Sequence, residues 1–152
     1  MLSRANIDIM IVSNQAGIAK GFFSEVDLAA LNEHMRGQLL YHAVSVAGIY
    51  CCPHHPEGTV PRYRQLCSCR KPQPGLLIAA MQERGIGRSE AVMVGDRNSD
   101  IEAGRAAGVT TYLVETGYGA SEKHSTNATY VVADLLTAVR HILGEHKNPP
   151  AQ

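Results

Sequence analysis

The sequence predicts an α/β protein: a parallel sheet with helices on both faces. Three observations predict it. Short apolar runs alternate with longer stretches of helical period. The runs are apolar almost throughout, without the in–out alternation of a sheet that has one wet face. The helical stretches open on capping residues or a proline, and two of them stop at glycine. With 152 residues, 45% of them apolar, the chain has the size of one domain and can bury a core. That domain is expected over 1–143, with a disordered tail over 144–152. Lys+Arg number 14 and Asp+Glu number 14, so the basic footprint of a nucleic-acid or membrane-surface binder is excluded. No apolar run is as long as a membrane span, and nothing resembles a secretory signal. A cytoplasmic monomer is expected, with neither nucleic acid nor membrane as partner.

The elements follow in order. Ile7 to Val12 is a short β-branched run that ends in the loop Ser13-Asn14-Gln15-Ala16-Gly17, a buried strand reaching its carboxyl end. Ser24 with Asp27 forms a capping box for a helix from Glu25 to Leu40, whose apolar face is Leu28, Leu31, Met35 and Leu39. Val44 to Cys51 is a second strand. Pro74 suits a first helical turn, and that helix runs to Arg84 before Gly85-Ile86-Gly87. Ala91 to Val94 is a third strand, ending in Gly95-Asp96. Ser99 with Glu102 reads as a capping box for a short helix that stops at Gly108. Thr111 to Val114 and Thr129 to Val132 are further strands, and Asp134 caps a last helix to Leu143.

Between the second strand and the Pro74 helix lies a loop, 51–70, that holds all four cysteines. Cys52-Pro53-His54 and Cys67-Ser68-Cys69 are two clips separated by a polar stretch. Three thiolates and an imidazole make a Cys3His set, which suits tetrahedral zinc; sulfur ligands disfavour magnesium and calcium. The loop has few apolar residues, so a metal is expected to supply its order. Disulfides, a redox pair and plain core thiols are the competing readings. A reducing compartment argues against the first, C-x-C spacing against the second, and clustering in a hydrophilic loop against the third. Cys51 and His55 are neighbours rather than ligands, and Cys51 reads as a buried strand residue.

In parallel sheets ligands bind beyond the carboxyl ends of the strands. Three polar groups are expected there. Ser13 brings a hydroxyl, with the amides of Asn14, Gln15 and Ala16 behind it to cradle a phosphate oxygen. Lys71 brings a point charge at the start of a helix. Asp96 brings a hard oxygen for Mg²⁺. Together they form a phosphoryl-transfer kit. Singly, each has a plainer reading: a turn serine, a solvated lysine, a Gly-Asp turn with Asp100 as a first-turn helix acid.

IVSNQAGIAKG, CPHHPEG with CSCRKPQPG, and VGDRNSDIEAG resemble motifs of the haloacid dehalogenase (HAD) phosphatase superfamily, and within it of the D-glycero-D-manno-heptose 1,7-bisphosphate phosphatases. The match covers about Leu2 to Tyr118. Histidinol-phosphatases share the C-x-H and C-x-C clips, but with a shorter loop between them. The resemblance implies a HAD-like Rossmannoid sheet with a zinc loop, and a Mg²⁺-dependent phosphatase for a sugar bisphosphate of surface-polysaccharide synthesis. It implies that Ser13 and Lys71 stabilise the transferring phosphoryl group. Asn14, Gln15, Ala16, Arg70 and Arg97 would contact substrate. Asp96 would bind Mg²⁺, with Asp100 one layer out or a weaker ligand. Cys52, His54, Cys67 and Cys69 would hold Zn²⁺. Arg97 stands where the family pattern has lysine.

The family's first motif, D-x-D-G-T, is not in the sequence. The resemblance puts the nucleophile and the general acid/base on that motif, on a central strand roughly 40 residues ahead of the Ser13 motif. Asp8 does not replace it, because no second aspartate and no Gly-Thr follow. A chain whose reading frame begins too late is expected, or else a degenerate paralogue. Either way the sequence as given is expected to be inactive. A zinc-stabilised phosphosugar-binding remnant is the alternative, and a zinc-loop interaction domain without phosphate chemistry is a third reading.

Overall fold

A computed structural model describes residues 1–144; all but the first residue of the expected disordered tail lies outside the described residues. The chain divides into two compact units, Met1–Arg70 and Lys71–Gln152.

The first unit runs 3₁₀ turn Leu2–Ala5, β1 (Met10–Asn14), α1 (Ala16–Ala19), α2 (Glu25–Tyr41), β2 (Gly48–Cys52) and 3₁₀ turn Pro61–Tyr63. The two strands are parallel, with Met10 opposite Gly48 and Asn14 opposite Cys52. Strand β1 starts later than expected and holds Ser13 and Asn14 inside it. The Gln15 N–H extends the ladder by donating to the Cys52 carbonyl at 2.8 Å. Ile7 and Asp8 precede the ladder and are exposed. Strand β2 is shorter than expected because the Val44 N–H is spent on α2, where it donates to the Leu39 carbonyl at 2.8 Å. The capping box of α2 is as expected: Ser24 Oγ accepts the Asp27 N–H, and Asp27 Oδ2 accepts the Ser24 N–H. Its apolar stripe is as expected at all but one position, with Met35 and Leu39 half-buried. Leu28 is buried and Leu31 is exposed. The side chains of Asn32 and Arg36 reach Cys51 Sγ and the Val46 carbonyl, so the inward face runs through 28, 32 and 36.

The second unit contains α3 (Gly75–Arg84), β3 (Val92–Gly95), α4 (Asn98–Ala107), β4 (Thr110–Val114), α5 (Gly119–Glu122), β5 (Tyr130–Val132) and α6 (Leu135–Ile142). The strands form a parallel sheet in the order β3-β4-β5. Successive β4 residues face opposite sides. Tyr112 and Val114 pack with Val132 and with Ala138 of α6. Thr111 faces the other way, where a Cβ on Gly104 of α4 would strike its methyl group. Helices therefore cover both faces, as the sequence predicts. Helix α3 ends at Gly85 and α4 at Gly108, both left-handed. The start of α4 corrects the reading of Ser99 with Glu102. Arg97 is the cap residue, and Asp100 accepts its N–H. No ladder joins β1 to β3 among the described residues.

Asp134 Oδ1 accepts the Thr137 N–H at 2.7 Å and the Thr137 hydroxyl at 2.8 Å, capping α6 as expected. The backbone bond, more than the hydroxyl, holds this carboxyl below the usual range. A folded pKa below the unfolded one gives stability above the unfolded value, lost as pH falls through the folded one. Asp134→Ala should therefore lower Tm at neutral pH. The gap to the unsubstituted protein should close as both are melted at progressively more acid pH, and a constant gap would contradict this role.

Candidate active and metal site

In the first unit, Ser13 sits near the end of β1 and its Oγ accepts from Gln15 Nε2 at 2.8 Å. Of the three expected phosphate-cradling amides, that of Gln15 is engaged by Cys52. Its side-chain amide is what reaches the serine. Ala16 opens the one-turn α1.

The cysteine loop closes on itself. Cys52 Sγ lies 3.5 Å from Cys67 Sγ and 3.1 Å from Cys69 Sγ, and the last two are 3.2 Å apart. His54 Nδ1 is 3.7 Å from Cys52 Sγ and 3.4 Å from Cys69 Sγ. A tetrahedral zinc with Zn–S of about 2.3 Å sets sulfur–sulfur edges of about 3.8 Å. The observed edges are slightly tighter, and all four donor atoms lie within 4.8 Å of one another. The four cysteines are free, with sulfur separations longer than a disulfide bond. Cys51 stands outside the group, half-buried beside Asn32, and His55 Nδ1 turns back to accept the Glu57 N–H. Burial, reinforced by Cys69, raises the Cys52 thiol well above its ordinary range, and burial raises Cys69. Burial acts most strongly on Cys67 too, but hydrogen bonds with Cys69, the Arg70 N–H and Cys52 outweigh it, and that thiol is lowered. Three thiols sharing one space cannot all ionise without a cation, so this donor set fits a metal ion.

The loop is better anchored than its composition suggested. Tyr63 is buried with Ile18, Ala19 and Leu28, and Val60 packs beside them. The Val60 N–H donates to the Ala19 carbonyl at 2.9 Å. A tyrosine between two arginines is a weak sequence signal, which is why it was missed. Arg70 Nη1 donates to the His54 carbonyl at 3.2 Å, tying the end of the loop to its metal-facing turn.

In the second unit, four expected residues meet where β3 gives way to α4. Lys71 Nζ lies 2.6 Å from Asp100 Oδ1, and both side chains are only 10% exposed. Asp100 Oδ2 accepts the Arg97 N–H at 3.2 Å. Both Asp100 oxygens are thus engaged. Asp96 follows β3 directly, and its Oδ2 accepts the Tyr118 N–H at 3.1 Å. Gly95 is required by proximity, since a Cβ there would collide with Asp100. Gly117 has φ +62°, and a Cβ on it would collide with Asp96. The Arg97 guanidinium lies 3.4 Å over the Tyr118 ring and 3.8 Å from Glu122. Tyr118 and Glu122 were missed in the sequence. The signal was Gly117-Tyr118-Gly119 just beyond a strand's carboxyl end, a usual place for ligand groups.

A family profile described as HAD-hydrolase-like matches residues 68–138. The D-glycero-beta-D-manno-heptose-1,7-bisphosphate 7-phosphatase of Salmonella typhi is 40% identical over 143 residues, 91% of this chain and 76% of the relative. The corresponding alpha-anomer phosphatase of Photorhabdus laumondii is 42% identical over 116 residues, 76% of this chain and 63% of the relative. The crystal structure of the D,D-heptose 1,7-bisphosphate phosphatase of B. bronchiseptica, complexed with magnesium and phosphate, has a TM-score of 0.83 and 29% identity over 95% of this chain and 79% of that one. The matching profile and the relatives' names make the chain a HAD-type hydrolase of phosphoric monoesters. Within that class the chain belongs to the heptose-1,7-bisphosphate phosphatase family.

Breaking a buried ion pair from one side leaves an uncompensated charge, at a cost of about 3–5 kcal/mol. Asp100→Asn should lose about 3 kcal/mol in urea unfolding, and Lys71→Met with Asp100→Leu should recover most of it. A loss within about 0.5 kcal/mol for Asp100→Asn would mean the pair is solvated.

Proposed function

We propose that this chain carries the phosphate- and metal-holding groups of a cytoplasmic, Mg²⁺-dependent phosphatase acting on D-glycero-D-manno-heptose 1,7-bisphosphate, in the synthesis of surface lipopolysaccharide. The observation that carries this reading is the buried Lys71–Asp100 pair beside Asp96 at the end of β3. A lysine held by a buried carboxylate keeps its charge at a fixed point, which suits an oxyanion that develops charge in place. In this reading Ser13 brings a hydroxyl for a phosphoryl group, and Asn14, Gln15, Ala16, Arg70 and Arg97 are substrate contacts. Both anomers occur among the relatives' names, so the substrate class is the bisphosphate rather than one anomer.

For Mg²⁺ the donor set fits with Asp96 as the carboxylate ligand, because Mg²⁺ commonly takes one or two carboxylates and completes its shell with water and substrate phosphate. When bound, it neutralises charge on the phosphate oxygens. Asp100 holds Lys71 and the Arg97 N–H, and its remaining lone pairs suit a place one layer out from Mg²⁺ or a weaker bond to it. Zn²⁺ is held by Cys52, His54, Cys67 and Cys69 and has a structural role, since four protein ligands leave no open position. Zinc-free protein should bind about one equivalent of Zn²⁺ in titration against a chromogenic chelator, and Cys69→Ala should bind none tightly. Tight binding by that variant would reject this ligand set.

The sequence as given has no D-x-D-G-T, the motif on which the resemblance puts the nucleophile, and we propose that these 152 residues alone are inactive. Phosphate release from heptose 1,7-bisphosphate, followed colorimetrically, should stay at background for the 152-residue polypeptide. Turnover that EDTA and Asp96→Ala both abolish would show that another residue serves as nucleophile. Without chemistry, the same groups make a zinc-stabilised phosphosugar-binding domain, and the missing motif is what favours that second reading.

A further inference from the structure

The segment after β4 takes hold of three consecutive residues. The Tyr118 N–H donates to Asp96. The Arg97 guanidinium carbon lies over the Tyr118 ring, 3.4 Å from its centre, a contact distance that only a face-to-face arrangement allows. Glu122, from α5, reaches the Arg97 guanidinium and also accepts the Asn98 N–H, the first amide of α4. Gly117 lets this segment approach, since any side chain there would strike Asp96. A single connection between β4 and β5 therefore fixes the carboxylate, the guanidinium and the helix start that follow β3.

We propose that Tyr118 is a positioning residue for anion recognition. It serves as a flat platform that holds Arg97 in one plane, so that the guanidinium fork meets a phosphate group of the bound substrate with two parallel N–H donors. This deepens the functional reading above and rests on it. The argument is geometric. A guanidinium stacked on a ring has its N–H bonds in the plane of the stack, pointing outward from its edge. Stacking removes much of the rotamer freedom that an arginine otherwise loses on binding. One edge faces Glu122, and the Arg97 side chain is still 46% exposed, which leaves room for an anion. A lysine could not use this platform in the same way, because an ammonium has no plane. Tyr118 and Arg97 thus act as one unit. The Tyr118 hydroxyl is not needed for this, and its backbone bond to Asp96 is independent of its side chain.

The test is binding by the 152-residue chain, with heptose 1,7-bisphosphate as probe in isothermal titration. Arg97→Ala should weaken Kd about tenfold, and Tyr118→Leu about fivefold. Tyr118→Phe should leave Kd unchanged. In the Arg97→Ala background, Tyr118→Leu should cost nothing further, and that non-additivity is what a purely structural role would not produce. Equal losses from Tyr118→Leu in both backgrounds would overturn the proposal. If Tyr118→Leu does not fold, Arg97→Lys decides: an unchanged Kd overturns the proposal, because a lysine gives the ring no plane to hold. If the unsubstituted chain does not bind the probe, the functional reading and the platform fall together. Binding without coupling removes the platform alone.

Discussion

The Lys71–Asp100 ion pair is the contact on which the polar end of β3 in the second unit depends. It joins the residue that precedes Pro72 to the first turn of α4 through two nearly buried charges. Neither charge could remain there alone. Asp100 answers a second demand as well, since its other oxygen accepts the cap N–H of α4. One carboxylate therefore fixes a cation and starts a helix. That double duty explains the glycine at 95: the approach of Asp100 leaves no space for a side chain on the strand's last residue. The placement of Asp96 follows, because it comes next in the chain.

The first unit depends on a different device. Its loop between Cys52 and Cys67 is anchored twice, by Tyr63 in an apolar cluster and by sulfur donors drawn together at the other side. The apolar anchor sets the loop's path, and the donors set its mouth. A metal ion there would add order to a loop whose path is already partly set, and four protein donors would leave it no open position.

Most of the architecture was legible because apolar runs and caps are local signals. Ser24, Gly85, Gly108 and Asp134 end or begin helices where the sequence placed those boundaries. The misplaced boundaries share one cause. The Val44 N–H went to α2 and the Asp100 carboxylate to Arg97, and each choice was made by a partner that local spacing does not reveal. The inward face of α2 was misread at Leu31 because Asn32 and Arg36 found acceptors across the unit. The metal donors were legible, since C-x-H and C-x-C spacing is chemically specific. Tyr118 and Glu122 were not, since a ring under a guanidinium leaves no mark on the sequence of either residue.

The closeness of the three sulfurs has a consequence for the life of the protein in an oxidising environment. Thiols 3.1–3.5 Å apart need to move by little more than an ångström to join as a disulfide of about 2.05 Å. Of the three, the Cys67 thiol ionises most readily, and a thiolate is the form that oxidants attack. Metal ion and oxidant therefore compete for the same electron pairs. A cation bound there would occupy those electron pairs, so that cation supply and oxidation would be coupled through one loop.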